Sequence, residues 1–156
     1  MINSKKTIAI FGASGFIGSS LVAQLSQSNY HLKLFSRNKE KIKLFTVDPR
    51  IEVFDFNLND IEQVKKDLNK TDVVIITGGL GPTKDDITKH TLAEYFETEL
   101  EIHQPTLEKI TTYFSMRNRP MLESNIQQAA LPKNCTILTN NYGTASGMWF
   151  EKAGKI

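Results

Sequence analysis

Cysteine is nearly absent: Cys135 stands alone among 156 residues, which excludes an internal disulfide and fits a reducing, cytoplasmic setting. It lies between Pro132 and a short apolar run, so it reads as packing, not as a nucleophile. Long apolar runs are also missing. None approaches the roughly 20 residues of a membrane span, and the polar opening Met1–Lys6 does not resemble a secretory leader. Charge of neither sign dominates; a net charge of +2 leaves no electrostatic footprint for nucleic acid. The three histidines, His31, His90 and His103, lack metal-ligand spacing. There is no internal repeat, no low-complexity stretch and no Gly/Ser linker. With 40% hydrophobic and 23% charged residues, the chain reads as one soluble α/β domain, residues 1–156, large enough to bury a core.

What is present is a pair of glycine-rich turns, each directly after a short apolar run. Gly12-Ala13-Ser14-Gly15-Phe16-Ile17-Gly18 follows Ile8–Phe11, and Thr77-Gly78-Gly79-Leu80-Gly81-Pro82-Thr83 follows Val73–Ile76. Continuous β-rich runs ended by glycine predict buried parallel strands at 7–11, 30–35, 51–54 and 72–76. Helical spacing of Ile17, Leu21, Val22 and Leu25 predicts a helix after the first turn. A short helix or turn is predicted at 39–45, and further helices at 60–68 with a cap at Asn59 or Asp60 and at 85–96. Pro105 suits the first turn of a helix over 106–114. A last helix is expected over 121–130, ended by Pro132, with short strands at 100–103, 136–138 and 148–151. Helices between apolar strands imply right-handed crossovers and a doubly wound, three-layer sheet.

Strand, G-x-x-G-x-x-G and helix together make a dinucleotide fingerprint. The first glycine permits the tight turn, the middle one lets a pyrophosphate approach the backbone, and the third lets helix and strand pack closely. Gly12, Ser14, Gly15, Phe16, Ile17 and Gly18 therefore form the candidate phosphate cradle, with free N–H groups of the first helical turn facing the anion. At the end of the second strand an acidic residue would hold the ribose of NAD. This chain has Ser36 and Arg37, followed by Lys39 and Lys41 within a basic run from Lys33 to Lys43, and these suit the 2′-phosphate of NADP.

"IAIFGASGFIGSSLVAQL", "LFSRNKEK" and "TDVVI" resemble the first half of an atypical or extended short-chain dehydrogenase/reductase. The resemblance implies an acidic residue near the adenine, for which Asp55 is the nearest match, although Phe56-Asn57 departs from the usual Asp-Leu. The Tyr-x-x-x-Lys pair of that family is missing, since Tyr30, Tyr95, Tyr113 and Tyr142 all lack a lysine four residues later. Dehydrogenase chemistry is therefore not expected.

The second turn offers backbone N–H groups that can form an anion nest. Asp85 and Asp86 follow it. Paired carboxylates beside a phosphate loop suit Mg2+ and pyrophosphate chemistry, and the same acids at a helix N-terminus suit the dipole; spacing leaves both readings open. From Asp72 onward the pieces "DVVIITGGLGPTKDDITKHTLAEYF", "RNRPMLESNIQQAALP" and "NNYGTASGMWFEKAGK" resemble the CinA (competence-damage-inducible) branch of the MoaB/Mog molybdopterin-binding family. This implies a nucleotide- or pterin-binding loop at Gly78, Gly79 and Gly81. It also implies a metal or phosphate role for Asp85 or Asp86, a contributing loop at Gly143–Gly147, and hydrolysis of a nucleotide pyrophosphate such as ADP-ribose. That family's first strand with its Gly-Thr-Glu-Leu-Leu turn is replaced here, and its Pro-Gly-x-Pro loop is not reached.

The run Asp-Val-Val-Ile serves both families beside the first strand, so the expected sheet order begins 3-2-1-4, shared by both parts. A chimera, natural or made by deliberate recombination, follows; the cut ends of the second family's domain favour the latter. The expected function is nucleotide binding with little or no catalysis. The alternatives are a CinA-like metal-dependent nucleotide pyrophosphatase using Asp85 and Asp86, or a folded scaffold without ligand. An exposed sheet edge offers a route to a homo-oligomer.

Overall fold

The computed structural model describes residues 5–56, 60–80 and 87–156. The chain divides into two compact units: residues up to Thr77 together with Glu151–Ile156, and Gly78–Phe150.

The first unit is built on four parallel strands in the order β3-β2-β1-β4, as the alternation of runs predicts. They are β1 (Thr7–Phe11), β2 (His31–Ser36), β3 (Ile51–Asp55) and β4 (Val73–Ile76), with α1 (Phe16–Leu25) and α2 (Ile61–Asp67) between them. Period-2 alternation sorts the side chains onto two faces. Ile8 and Ile10 join Leu32, Leu34 and Ile51 on one face, where Val22 of α1 and Ile42 pack on them. On the other face Phe11, Phe35 and Phe54 occupy adjacent register positions. Their rings stack at 4.5 Å and 5.0 Å, and Phe56 meets Phe11 edge-on.

Residues Lys39–Val47 form a 3-10 helix, opened by Asn38, whose side-chain oxygen accepts from the Glu40 N–H at 3.1 Å. Of the two capping candidates for α2, Asp60 accepts from the Gln63 N–H at 3.1 Å; Asn59 lies outside the described residues. Lys33 donates to the carbonyls of Asp67 (2.6 Å) and Asn69 (2.9 Å), closing the C-terminal end of α2. Beyond β4, Ile156 accepts from the Val74 N–H and donates to the Asp72 carbonyl, a parallel pairing on the edge away from β1.

The second unit holds α3 (Thr88–Tyr95), β5 (Leu100–Ile102), α4 (Gln104–Ser115), α5 (Glu123–Ile126), β6 (Ala130–Pro132), β7 (Thr136–Leu138) and β8 (Gly147–Trp149). β5 pairs antiparallel with β6 and β7 with β8. Two expectations are corrected here. The helix expected over 121–130 shrinks to α5 and a 3-10 turn, Gln127–Ala129, and the chain then runs as β6. Pro132 disfavours helical backbone at Leu131, and Ala130–Pro132 instead pairs with Leu100–Ile102. The second part was also expected to share the parallel sheet. Its named strands pair only with one another among the described residues, and only Ile156 reaches β4. Phe150, just past β8, stacks on Phe96 at 4.1 Å. Among the described residues no helix is long and apolar enough to cross a membrane.

Candidate functional site

In the first unit the order 3-2-1-4 puts a topological switch point between β1 and β4, where open α/β sheets hold their ligands. The first glycine turn sits at that point. Gly12 takes φ +77°, a conformation that costs a side chain, and a Cβ there would stand 2.4 Å from Thr77 Oγ1 and 2.8 Å from its carbonyl oxygen. A Cβ on Gly18 would lie 2.1 Å from the Gly12 carbonyl oxygen, so this glycine sets how closely α1 meets the turn. A Cβ on Gly15 would meet only the Gly12 oxygen, at 3.2 Å. That empty side is where an anion can come close to the backbone.

Gly15 is the N-cap of α1 and supplies no side-chain acceptor. The N–H groups of Phe16, Ile17 and Gly18 are thus left to the ligand by the geometry of a helix start. Phe16 and Ile17 are 91% and 66% exposed, so they frame the cradle without filling it. The Ser14 and Ser36 hydroxyls lie 2.8 Å apart, and Ser36 also bonds Asn38, which locks the turn to the end of β2. Ser36 is buried and acts inward.

Around this end of β2, Lys39 is committed. Its ammonium lies 3.1 Å from Asp55, whose other oxygen accepts from the Lys39 N–H at 3.3 Å. The carboxylate expected near an adenine is therefore held by a neighbour. Arg37 and Lys41 are exposed, and among the described residues neither meets a carboxylate within ion-pair distance. These two cations remain available to a phosphate.

In the second unit Gly78 and Gly79 take φ +102° and +67°. The Thr88 hydroxyl donates to the Gly78 carbonyl at 3.2 Å, and a Cβ on Gly79 would fall 2.2 Å from that hydroxyl. Next along α3, the buried Lys89 donates to the Gln127 carbonyl, and burial pushes its ammonium pKa down. Gly81, Asp85 and Asp86 lie outside the described residues, so the proposed metal pair has no geometry to report. In the Gly143–Gly147 loop, Asn140 accepts from the Tyr142 and Gly143 N–H groups and donates to the Ala145 carbonyl. Among the described residues no three His, Cys, Asp or Glu side chains gather as a metal site. Cys135 is half-buried and burial pushes its thiol up, away from nucleophilic character.

Sequence reasoning missed Thr77, Thr88, Lys89 and Asn140 as supports. The available signal was small: a threonine at the mouth of a strand, and Asn140-Asn141 ahead of a glycine, where side-chain-to-backbone bonds are favoured.

Two protein-family models match the chain: one described as NAD(P)H-binding over residues 12–100, the other as a probable molybdopterin binding domain over residues 57–155. They overlap across β4 and the second glycine turn. A competence-damage inducible protein of Acetivibrio thermocellus is 51% identical over 89 residues, covering 57% of this chain and 22% of that protein. One from Clostridioides difficile is 39% identical over 143 residues, covering 92% of this chain and 30% of its own length. The chain thus spans less than a third of these curated relatives. Among solved structures, CinA of Thermoplasma acidophilum, a protein with unknown function, superposes with a TM-score of 0.62 at 21% identity, over 97% of this chain and 85% of that one. At that identity the likeness shows the fold.

Proposed function

The chain belongs to the molybdopterin-binding domain family and, over its first part, to the NAD(P)H-binding family, and from that premise we propose that it is a nucleotide-binding protein that holds NADP at the first glycine turn with little or no turnover. One observation carries the reading. The unfilled backbone cradle at Gly15 opens beside the switch point, and Arg37 and Lys41, at and just past the end of β2, meet no carboxylate within ion-pair distance among the described residues.

NADP fits these residues. Its pyrophosphate would sit on the N–H groups at the start of α1, where the helix dipole favours negative charge. Its 2′-phosphate would meet Arg37, whose planar fork suits two phosphate oxygens, and Lys41, which adds a point charge. When bound, the nicotinamide supplies hydride chemistry. This chain lacks the Tyr-x-x-x-Lys pair that would move the accompanying proton, so binding without turnover is the expected state. Titration with NADP and NAD tests the reading. NADP should bind more tightly, and Arg37→Asp should abolish or reverse the preference; equal affinities in the parent chain would reject it.

The 51% match to the Acetivibrio thermocellus competence-damage inducible protein supports a CinA-like kind, and as a second reading we propose a pyrophosphatase in which Asp85 and Asp86 would hold Mg2+ beside Gly78–Gly81. Release of AMP from ADP-ribose with magnesium, lost in an Asp85→Asn/Asp86→Asn variant, would establish it. No hydrolysis is the outcome expected from the first reading.

A further inference from the structure

We propose that the groove between α4 and the β7–β8 loop is a binding site for a nucleoside monophosphate, separate from the first glycine turn. The groove is open to solvent and offers about 480 Å³, within the range of small-ligand sites. Lys109, Thr112, Tyr113, Met116 and Arg117 line it from one side, and Asn141, Tyr142 and Gly143 from the other. The first five fall at i, i+3, i+4, i+7 and i+8, one continuous face of a helix and its end.

That face is unusual in its chemistry. It carries two cations, and among the described residues neither Lys109 nor Arg117 meets a carboxylate within ion-pair distance. The Arg117 guanidinium is already held in place. Its carbon lies 3.6 Å from the centre of the Tyr113 ring, and Nη1 donates to the Tyr113 carbonyl at 3.2 Å. A planar fork fixed in this way presents its remaining N–H groups to a phosphate at little ordering cost. Opposite stands Tyr142, 98% exposed, on a loop that Asn140 fastens through the Tyr142 and Gly143 amides at 2.9 and 3.1 Å. The ring is therefore carried on a braced backbone, and among the described residues almost nothing covers it. An aromatic ring so placed is a stacking platform, and every nucleobase has a face to offer it. The Thr112 hydroxyl, whose proton goes to the Glu108 carbonyl at 2.9 Å, offers its lone pairs, and the Asn141 amide offers both a donor and an acceptor, to ribose or base edge.

The cations ask for an anion, the ring for a flat heterocycle, and the volume for one nucleotide. Gly143 alone lies also in the loop that the CinA resemblance implies; no other lining residue belongs to the glycine turns.

AMP, adenosine and inorganic phosphate, each titrated into the full chain and followed by residue-resolved NMR, test the site. AMP should bind at least tenfold more tightly than adenosine or phosphate, with shifts at Tyr113, Tyr142 and Gly143. Lys109→Glu removes none of the hydrogen bonds named above and should weaken AMP at least tenfold; Tyr142→Ala should weaken it several-fold; Arg37→Asp should leave it unchanged. Absence of AMP binding overturns the proposal. So does binding that survives both Lys109→Glu and Tyr142→Ala, or that is lost in Arg37→Asp and therefore belongs to the first turn. Phosphate binding as tightly as AMP would also overturn it, since the ring would then contribute nothing.

Discussion

Thr77 donates twice to one oxygen: its hydroxyl reaches the Phe11 carbonyl at 3.0 Å and its backbone N–H reaches the same carbonyl at 3.1 Å. The hydroxyl also lies 3.3 Å from the Gly12 carbonyl. The first residue after β4 thereby fastens the end of β1, the strand that delivers the candidate cradle. Thr77→Val keeps the branched shape and removes the donor. It should cost about 1 kcal/mol, the usual net worth of one such bond, read as a lower urea midpoint at unchanged slope. NADP affinity should fall with it, and Thr77→Ser should recover both. Full affinity in the valine variant would show that the turn holds its shape without this bond.

The three glycines of the first turn should separate by substitution. Gly18→Ala forces a methyl to 2.1 Å from the Gly12 carbonyl oxygen and 2.9 Å from the Ala13 Cα, both main-chain atoms. The expected loss is about 1–3 kcal/mol, as for overpacking elsewhere. Gly12→Ala should lose more, since the φ of +77° adds strain to the collision with Thr77. Gly15→Ala meets only one oxygen at 3.2 Å, so its urea midpoint should stay close to the parent while NADP binding drops. Equal unfolding midpoints for all three variants would remove the distinction between packing glycines and a ligand-facing one.

Most of the first unit was legible because its signals are local. Four apolar runs bounded by glycine or polar residues became four parallel strands, and the join at Asp-Val-Val-Ile placed β4 beside β1. Ala130–Pro132 was not legible, because Gln127–Leu131 has helix-compatible residues. What decides its state is a partner, Leu100–Ile102, some thirty residues away in sequence. Lys33 shows the same limit from the other side. In the sequence it belongs to a basic run, whereas in the fold period-2 alternation turns it onto the face where it closes α2. Lys39 likewise left the group of phosphate-binding candidates through a pairing with Asp55 that no spacing rule anticipates.

Arg50 couples the fold to acid. It binds Asp48 through Nε (3.0 Å) and Nη2 (2.6 Å) and also donates to the Ser26 and Ser28 carbonyls at the end of α1. The Asp48 carboxyl is held below the ordinary carboxylate range, first by this side-chain bond and then by the Arg50 N–H. A depressed folded pKa means stability that is fully present above the unfolded value, about 3.9, and lost as pH falls through the folded one. Thermal midpoints of Asp48→Asn and the parent should therefore differ at pH 7 and converge below about pH 4. A gap that stays constant down to pH 2.5 would mean that Asp48 ionises no differently after folding.

Lys89 gives the opposite slope. Only 8% of it is exposed, its ammonium donates to the Gln127 carbonyl, and burial lowers its pKa. Below the folded pKa the cost of burying the charge is present in full. Between that value and the unfolded one, about 10.4, the unfolded chain binds more protons than the folded one. Stability arising from this group therefore rises with pH through the window and levels off above it. Lys89→Met keeps length and apolar volume but has no charge to bury, so its own contribution is flat. Other lysines and tyrosines titrate in both proteins and cancel in the difference. The parent should gain stability relative to Lys89→Met as pH goes from 7 to 10.5, measured by urea unfolding at each pH. Parallel profiles would show that the ammonium is solvated as in the unfolded chain. The result also bears on the second glycine turn. Lys89 anchors α3 immediately after Thr88, and Thr88 holds the Gly78 carbonyl. Loss of that anchor should speed amide exchange at Gly78 and Gly79 even where global stability is unchanged.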